Sequence, residues 1–527
     1  MTMDQLSIAQ RTLLVLLPEF LILATAVVMM TAGAFVRAPR RVWSLAAAGG
    51  LVAALVALVA LRHTGTEGVL YGAVALNDAL AGYTRLGFLL AGLLLLAMAH
   101  DQVDDARAAE FFGALLMVHA GAMLVATAND LVFLFVGLEL VSVPTYLLLY
   151  LPRRNRLTQE AATKYFYLSV FSSGLLLFGL AYLYGLTGVS NLKALGYILQ
   201  NAPTVAPRAF GLIAALFVVA GLGFRVAAVP FHFYAPDVYQ GSPTIIAALL
   251  AWVPKGVGFV AMIRVLTAVM GGTNPLTDRV VLLAWVVAVA TMTLGNTVAL
   301  WQEDLKRLLA YSSIAHAGYL MIGVAAALRN GPADAPAYLG TQGILFYLAA
   351  YALMTLGAFG VILALHTPER PVERVDDLNG LAQTRPLAAL ALALCLFSLA
   401  GVPPLAGFWG KYYVFAAALS AGGPADTQMF QVLTVIGVVN AAIGAYYYLR
   451  LIVAMYLRPP VGAPVAPRAG LPTALAVGTC AALSLALGLL PNPIARASRE
   501  AAVAATAQQA LPPVSEPAPA PAVTAVP

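Results

Sequence analysis

Charge is scarce in this chain: 10% of its 527 residues are Asp, Glu, Lys or Arg, against about 25% in an ordinary soluble domain. With 61% hydrophobic residues, there is too little polar surface to cover a globule in water, which excludes a soluble fold. Cysteine is nearly absent. Cys395 and Cys480 each stand alone in an apolar run, which excludes a disulfide framework, a CxxC pair and iron–sulfur ligand spacing. No GxxxxGK[ST] and no strand-flanked GxGxxG occurs, so nucleotide sites of those kinds are excluded. The net charge of +6 is scattered between apolar runs, with no basic face interleaved with aromatics, and nucleic acid is not an expected partner. Lysine is the scarcest charged residue. Of 29 basic residues only Lys164, Lys193, Lys255, Lys306 and Lys411 are lysines.

What the chain has is apolar length. A helix needs about 20 apolar residues to cross the hydrocarbon, and one charge at mid-bilayer costs a few kcal/mol, so charge-free windows mark spans. Clean windows are Val42–Leu61, Val280–Gln302, Ala335–Leu365, Pro386–Gly410, Thr427–Leu449 and Ala469–Ala495. With the interrupted ones they predict an all-α integral membrane protein of about fourteen spans. These lie near 12–35, 42–61, 79–99, 111–129, 131–151, 160–184, 208–236, 243–269, 280–300, 303–327, 338–365, 386–420, 428–457 and 471–490. The first run, Thr12 to Phe35, is long enough to span and lacks a signal-peptide pattern.

Loop charges orient the bundle. Loops after odd spans carry Arg37, Arg40, Arg41, Arg107, Arg153, Arg154, Arg156, Lys306, Arg307, Arg370, Arg374, Arg385, Arg458 and Arg468. Loops after even spans carry Arg62, Arg85, Lys193, Arg208, Arg279 and Arg329. The first set is therefore expected in the cytoplasm, with both termini outside.

Two segments share an unusual feature. GLGFRVAAVPFHFYAPDVYQGSPT (221–244) and SLAGVPPLAGFWGKYYVF (398–415) are apolar stretches broken by Gly and Pro beside a basic residue. Proline removes a helical hydrogen bond, and carbonyls freed inside a bilayer need protein or water. Corresponding broken helices in two halves point to an ion pathway. The breaks follow Pro230 and Pro403, five spans apart, and an odd number of spans makes the copies inverted. The expected organisation is a three-helix extension (1–105), a first repeat of spans 4–8 (106–270), an inverted second repeat of spans 9–13 (271–460), a last span (461–504) and a disordered Pro/Ala-rich tail (505–527).

Placement gives the scarce charges their meaning. A buried lysine can lose its proton, whereas arginine effectively cannot. Lys255 follows Pro254 in span 8 with apolar sequence around it except Arg264, and an ionisable residue at that depth marks a functional site. Lys411 follows the second break; an interface lysine is the alternative there. Lys164, four residues into span 6, and Lys306, in WQEDLKRLLAYSSIAHAGY, read equally as charges of solvated helix starts. Glu139, central in span 5, has to be protonated or paired in low dielectric. Glu19 in LLPEF has a weaker case. His232 and His316 fall one in each half and are candidate proton relays. Ser312, His316 and Tyr319 form one helical stripe suited to a water chain. His119, in LLMVHAGAML, reads as structural, and with no CxxCH a haem is not expected.

GLELVSVP around Glu139, TKYFYLSVFSSGLLLFGLAYLYG around Lys164, VPFHFYAPDVYQGSP, LKRLLAYSSIAHAGYLMIG and SLAGVPPLAGFWGKYY resemble motifs of one family. It is the antiporter-like family of Mrp-type cation/proton antiporter subunits and the large membrane subunits of respiratory complex I, the proton-pumping NADH:quinone oxidoreductase. The resemblance covers roughly residues 110–460. PDVYQGSP resembles one complex I membrane subunit in particular, since its paralogues typically read PDAHxxAP there. The resemblance implies a non-redox subunit moving protons while FMN, iron–sulfur clusters and quinone sit in partner subunits, with no cofactor in this chain; the alternatives are an Mrp-type secondary cation/proton antiporter subunit and a proton-inert membrane scaffold whose buried ions only fix helix packing. It implies other membrane subunits, including neighbouring antiporter-like ones, and the lipid bilayer as partners, in a bacterial inner membrane. It implies that Glu139 pairs with Arg225, that Lys255 is the central carrier and Lys411 lies toward the exit, and that Lys164, His232 and His316 are accessory; Lys306 is carried as a further candidate. The departure is Arg225, where the family pattern LGFK has lysine. Arginine is expected to hold Glu139 in a bidentate pair and not to release a proton itself.

Overall fold

Several spans start where an aspartate or asparagine side chain takes up backbone N–H groups that a helix leaves unpaired. Asp78 accepts from Ala81 at the head of helix Ala79–Ala99. Asp130 accepts from Val132 and Phe133 at Leu131–Tyr150. Asn155 accepts from Thr158 at Arg156–Thr187, and Asp304 from Arg307 at Leu305–Leu328. These polar residues end the apolar runs, so the chain turns where the hydropathy drops.

The computed structural model describes residues 3–61, 73–151, 155–201, 208–267, 269, 277–329, 338–365, 372–422, 426–460 and 470–507. In chain order the helices are α1 (Met3–Val15), α2 (Leu17–Phe35), α3 (Arg40–Leu61), α4 (Ala79–Ala99), α5 (Ala108–Thr127), α6 (Leu131–Tyr150), α7 (Arg156–Thr187), α8 (Leu192–Asn201), α9 (Arg208–Val226) and α10 (Ala235–Gly241). They continue as α11 (Thr244–Met262), α12 (Thr277–Ala299), α13 (Leu305–Leu328), α14 (Leu339–Leu365), α15 (Leu381–Thr384), α16 (Pro386–Ala400), α17 (Ala406–Leu419), α18 (Thr427–Leu457), α19 (Leu471–Leu489) and α20 (Asn492–Ala507). Among the described residues twelve helices are long and apolar enough to cross a membrane. The two remaining expected spans are the broken ones, each led by a shorter apolar helix, Phe210–Val226 and Pro386–Ala400.

Burial sorts these helices. Every residue of α11 is buried, and α13 and α14 are nearly so, which places them in the core. α2, α3, α7 and α18 turn large apolar side chains such as Val56, Phe171, Phe178 and Val435 outward, as helices facing lipid do. Close approach in the core depends on small residues: a Cβ added to Gly318 of α13 would lie 2.4 Å from the Met292 nitrogen, and one on Gly295 of α12 would lie 2.6 Å from that of Ala315.

The first break lies between α9 and α10. Ala227 takes a left-handed φ of 57°, the Val229 N–H donates to Thr291 of α12 (2.9 Å), and the Phe224 carbonyl accepts from the Ala227 N–H (2.9 Å) and the Tyr234 hydroxyl (3.0 Å). The second lies between α16 and α17, where Gly401 has φ 89°. There Lys411 donates to the carbonyls of Leu399 (3.2 Å) and Ala400 (2.8 Å), and the Gly407 N–H donates to Ser398 Oγ (3.0 Å). Both breaks are thus satisfied by protein, as backbone at membrane depth requires.

Four expectations change. Arg85, counted among loop charges, lies inside α4 with its side chain fully buried. The first run is two helices, with the chain reset at Leu16 ahead of Pro18. Two helices were not anticipated, α8 and the C-terminal α20, because both are amphipathic and carry too much polarity to read as spans. The expected tail is helical as far as Ala507; its remainder, 508–527, lies outside the described residues, as do Arg62, Arg153, Arg154, Arg370 and Arg468.

Candidate functional site

Glu139 sits on α6 and Arg225 in the last turn of α9, and they meet through one contact, Arg225 Nη2 to Glu139 Oε1 at 2.9 Å. The bidentate pairing expected from the sequence does not form. Arg225 Nη1 instead donates to Ser142 Oγ (2.6 Å) and the Leu138 carbonyl (3.0 Å), so α6 grips the guanidinium at three points. Glu139 also accepts from Ser173 of α7 (2.5 Å). The arginine is 7% exposed and the glutamate 28%, which leaves the carboxylate as the freer partner.

Gly258 of α11 packs on the end of α9: a Cβ added there would lie 2.6 Å from Val226 Cγ1 and 3.4 Å from Arg225 Cβ. Lys255, three residues earlier, shares that side of α11. Its ammonium donates to the Ser313 carbonyl of α13 and lies 5.8 Å from the centre of the Tyr351 ring of α14. The Tyr351 hydroxyl donates to Ser313 Oγ (2.8 Å), and the Tyr351 ring lies 5.0 Å from the His316 imidazole.

His316 joins three helices. Its Nδ1 is 2.6 Å from the Tyr347 hydroxyl of α14 and its Nε2 3.0 Å from the Tyr448 hydroxyl of α18, while Ser312 shares the Tyr448 hydroxyl. The expected Ser312–His316 stripe therefore carries hydroxyl partners from two neighbouring helices. Tyr319, further along it, packs against His316 at 5.9 Å between ring centres, and the Lys411 ammonium lies 5.1 Å from the Tyr319 ring. Lys255, His316 and Lys411 thus form one buried line bridged by Tyr351 and Tyr319. Among the described residues neither lysine is in an ion pair; carbonyls and aromatic faces hold them.

Lys164 and Lys306 belong to a second group. Lys164 pairs with Glu160 (2.7 Å) and Asp237 (2.8 Å). Lys306 is buried and donates to the carbonyls of Gln240 (2.6 Å) and Ser242 (2.8 Å). Both therefore act on α10. His232 stands apart from both groups, half-buried in the first break, with a buried Nδ1 that has no hydrogen-bond partner among the described residues.

Three constellations were not legible in the sequence. Arg307 and Asp237 complete the α10 group (2.7 Å). Arg264 grips Asp78 with both nitrogens, at 2.6 and 2.8 Å. Glu19 and Arg85 pair at 2.8 and 2.5 Å with side-chain exposures of 1% and 0%. The only sequence signal was a charge inside an apolar run, and it did not name the partner.

The fold and this site define a class: an all-helical, multispan membrane protein of antiporter-like architecture, with broken helices and buried ionisable side chains near them. Residues 128–440 match the family described as NADH:quinone oxidoreductase/Mrp antiporter, TM. A relative in Roseiflexus castenholzii, NADH-quinone oxidoreductase subunit N 2, is 41% identical over 410 residues, 77% of this chain and 80% of the relative. A chain of respiratory complex I from Thermus thermophilus superposes with a TM-score of 0.72 at 33% identity, covering 90% of this chain and 98% of that one. A chain of the Mrp complex from Dietzia shares the fold, with a TM-score of 0.80 at 22% identity over 94% of this chain and 98% of that one. This chain belongs to the NADH:quinone oxidoreductase/Mrp antiporter transmembrane family.

Proposed function

We propose that the chain is a proton-translocating membrane subunit of an NADH:quinone oxidoreductase. The observation that carries this reading is the buried line Lys255–His316–Lys411, with Arg225 of the Glu139–Arg225 pair on α9, which packs against α11 at Gly258. Insertion of such groups is costly, and membrane proteins retain them where ions or protons pass. Arg225 is a fixed charge, gripped by Ser142 and the Leu138 carbonyl. Glu139 is the member that moves. When it pairs tightly with Arg225 its charge is cancelled, and Lys255 loses the field that favours its protonated form. The proton then leaves by Ser313 and Tyr351 to His316, and by Tyr347, Tyr448 and Tyr319 toward Lys411.

Electron transfer belongs, on this reading, to partner subunits that hold FMN, iron–sulfur clusters and quinone, and the signal reaches Glu139 through the membrane subunits beside this one. The excess of Lys and Arg after odd spans supports a cytoplasmic position for Lys164, Lys306 and Arg307, both termini outside, a bacterial inner membrane and outward proton movement. Two inverted five-span repeats are part of the same reading, supported by matched local structure. Asp130 and Asp304 cap α6 and α13. Beside Asp130, Leu131 and Leu192 N–H groups donate to the Ser190 and Asn129 carbonyls; beside Asp304, those of Leu305 and Val375 donate to Glu373 and Glu303.

The fold shared with an Mrp chain makes secondary cation/proton antiport the rival, and PDVYQGSP speaks for the oxidoreductase. Purification of the chain with its native partners decides between them. Flavin and iron–sulfur absorbance co-purifying in fixed ratio is expected; a complex free of both, exchanging cations for protons in vesicles, is the contrary result.

A further inference from the structure

Asp237 is held by one cation from each half of the chain. Its Oδ2 accepts from Lys164 of α7 (2.8 Å) and its Oδ1 from Arg307 of α13 (2.7 Å). The helix that carries it, α10, has seven residues, too few to be stable without tertiary contacts. Lys306 holds its far end by donating to the Gln240 and Ser242 carbonyls, groups that a helix terminus leaves unpaired.

The same short helix points a second residue inward. Tyr239 is buried, and its hydroxyl lies 3.4 Å from Ser313 Oγ, on the residue whose carbonyl receives the Lys255 ammonium. Asp237 is 38% exposed and Lys164 40%. One turn of α10 therefore separates a solvent-reached ion bridge from the buried lysine. The turn at 227–234 and the Ser242–Pro243 step bound it on either side.

We propose that α10 is a hinged cover over Lys255, latched by the Lys164–Asp237–Arg307 bridge, so that this face of the bundle exchanges protons with Lys255 only while the latch is open. The inference rests on the reading of Lys255 as a proton carrier. Partly exposed ion pairs are individually weak, so the latch opens readily, and local openings of this kind occur on microsecond to second timescales. Asp237, Lys164 and Arg307 are positioning residues, acting on Lys255 through Tyr239.

The test uses the assembled complex in liposomes, with two readouts: deuterium uptake of residues 235–243, and passive proton leak without NADH. Asp237→Asn is expected to raise uptake about fivefold and to raise the leak. Arg307→Gln, which removes one arm, should raise both less, and Asp237→Glu should return both to the parent values. Asp237→Asn combined with Lys255→Met should keep the raised uptake and lose the leak. Unchanged uptake in Asp237→Asn, or a leak that survives in the double variant, overturns the proposal. Full proton stoichiometry in Lys255→Met alone would contradict the proposed function instead, and the uptake comparison would still judge the latch.

Discussion

Arg225 touches Glu139 through a single nitrogen at 2.9 Å and is anchored to the same helix as Glu139 by Ser142 and the Leu138 carbonyl. The pair is asymmetric. Arg225→Lys keeps the charge but offers no planar fork, so it gives up the anchoring contacts. We expect this variant to assemble and to move fewer protons per NADH, with electron transfer retained. Full stoichiometry in Arg225→Lys would show that the anchored geometry is dispensable.

Glu19 and Arg85 are more deeply buried than the pair at the site, and Arg85 Nη2 also donates to the Val15 carbonyl at the α1–α2 reset (2.7 Å). Removal of one partner from such a pair leaves an uncompensated charge and costs about 3–5 kcal/mol. Glu19→Ala should lower the thermal unfolding midpoint of the complex substantially. Glu19→Leu with Arg85→Met should restore most of it, since replacement of both charges by apolar groups is often near neutral. A double variant as unstable as the single one would refute this assignment.

Gly401 faces Lys411 at the second break. A Cβ there would lie 3.0 Å from Lys411 Cδ and 3.2 Å from Nζ, at a φ of 89°. Gly401→Ala should therefore cost about 1–2 kcal/mol in backbone strain and displace the ammonium from the Leu399 and Ala400 carbonyls. The expected result is a lowered proton-to-electron ratio in an assembled complex, measured beside Lys411→Met. A normal ratio would mean that the position of Lys411 is not critical.

Lys193, on α8 outside the spans, has its ammonium pushed down to about 8 by burial, with Asp78 opposing and Arg264 reinforcing the shift. Between about 8 and the unperturbed 10.5, the folded chain binds fewer protons here than the unfolded one, so this group makes stability rise with pH across that window. Below about 8 the burial penalty is present in full. Lys193→Met should flatten the rise between pH 8 and 10.5. A parent and variant with parallel pH–stability curves would contradict it.

The spans were legible because membrane insertion punishes charge, and the run 79–99 matches α4 residue for residue. The breaks at Pro230 and Pro403 were legible because proline removes a helical hydrogen bond, although Pro144 and Pro254 stand inside the continuous helices α6 and α11. The partners were not legible. Tyr347, Tyr351 and Tyr448 carry no mark in the sequence, since aromatic residues in apolar runs are ordinary core; only the crossing of α13, α14 and α18 brings them to His316. Arg85 was misplaced because a lone arginine near a span end resembles a loop charge, and only Glu19, 66 residues away, explains its burial. Arg307 reads as a loop charge and Asp237 only as part of PDVYQGSP, and α10 alone gives them a shared role.

Lys255 is the proposed proton carrier on which the rest of the pathway depends. Proton uptake and release per NADH oxidised should be measured in liposomes holding the assembled complex with Lys255→Met, beside the parent complex and with assembly verified by subunit content. A proton-to-electron ratio below that of the parent is expected while electron transfer to quinone continues; an unchanged ratio in a fully assembled variant would contradict a proton-carrying Lys255.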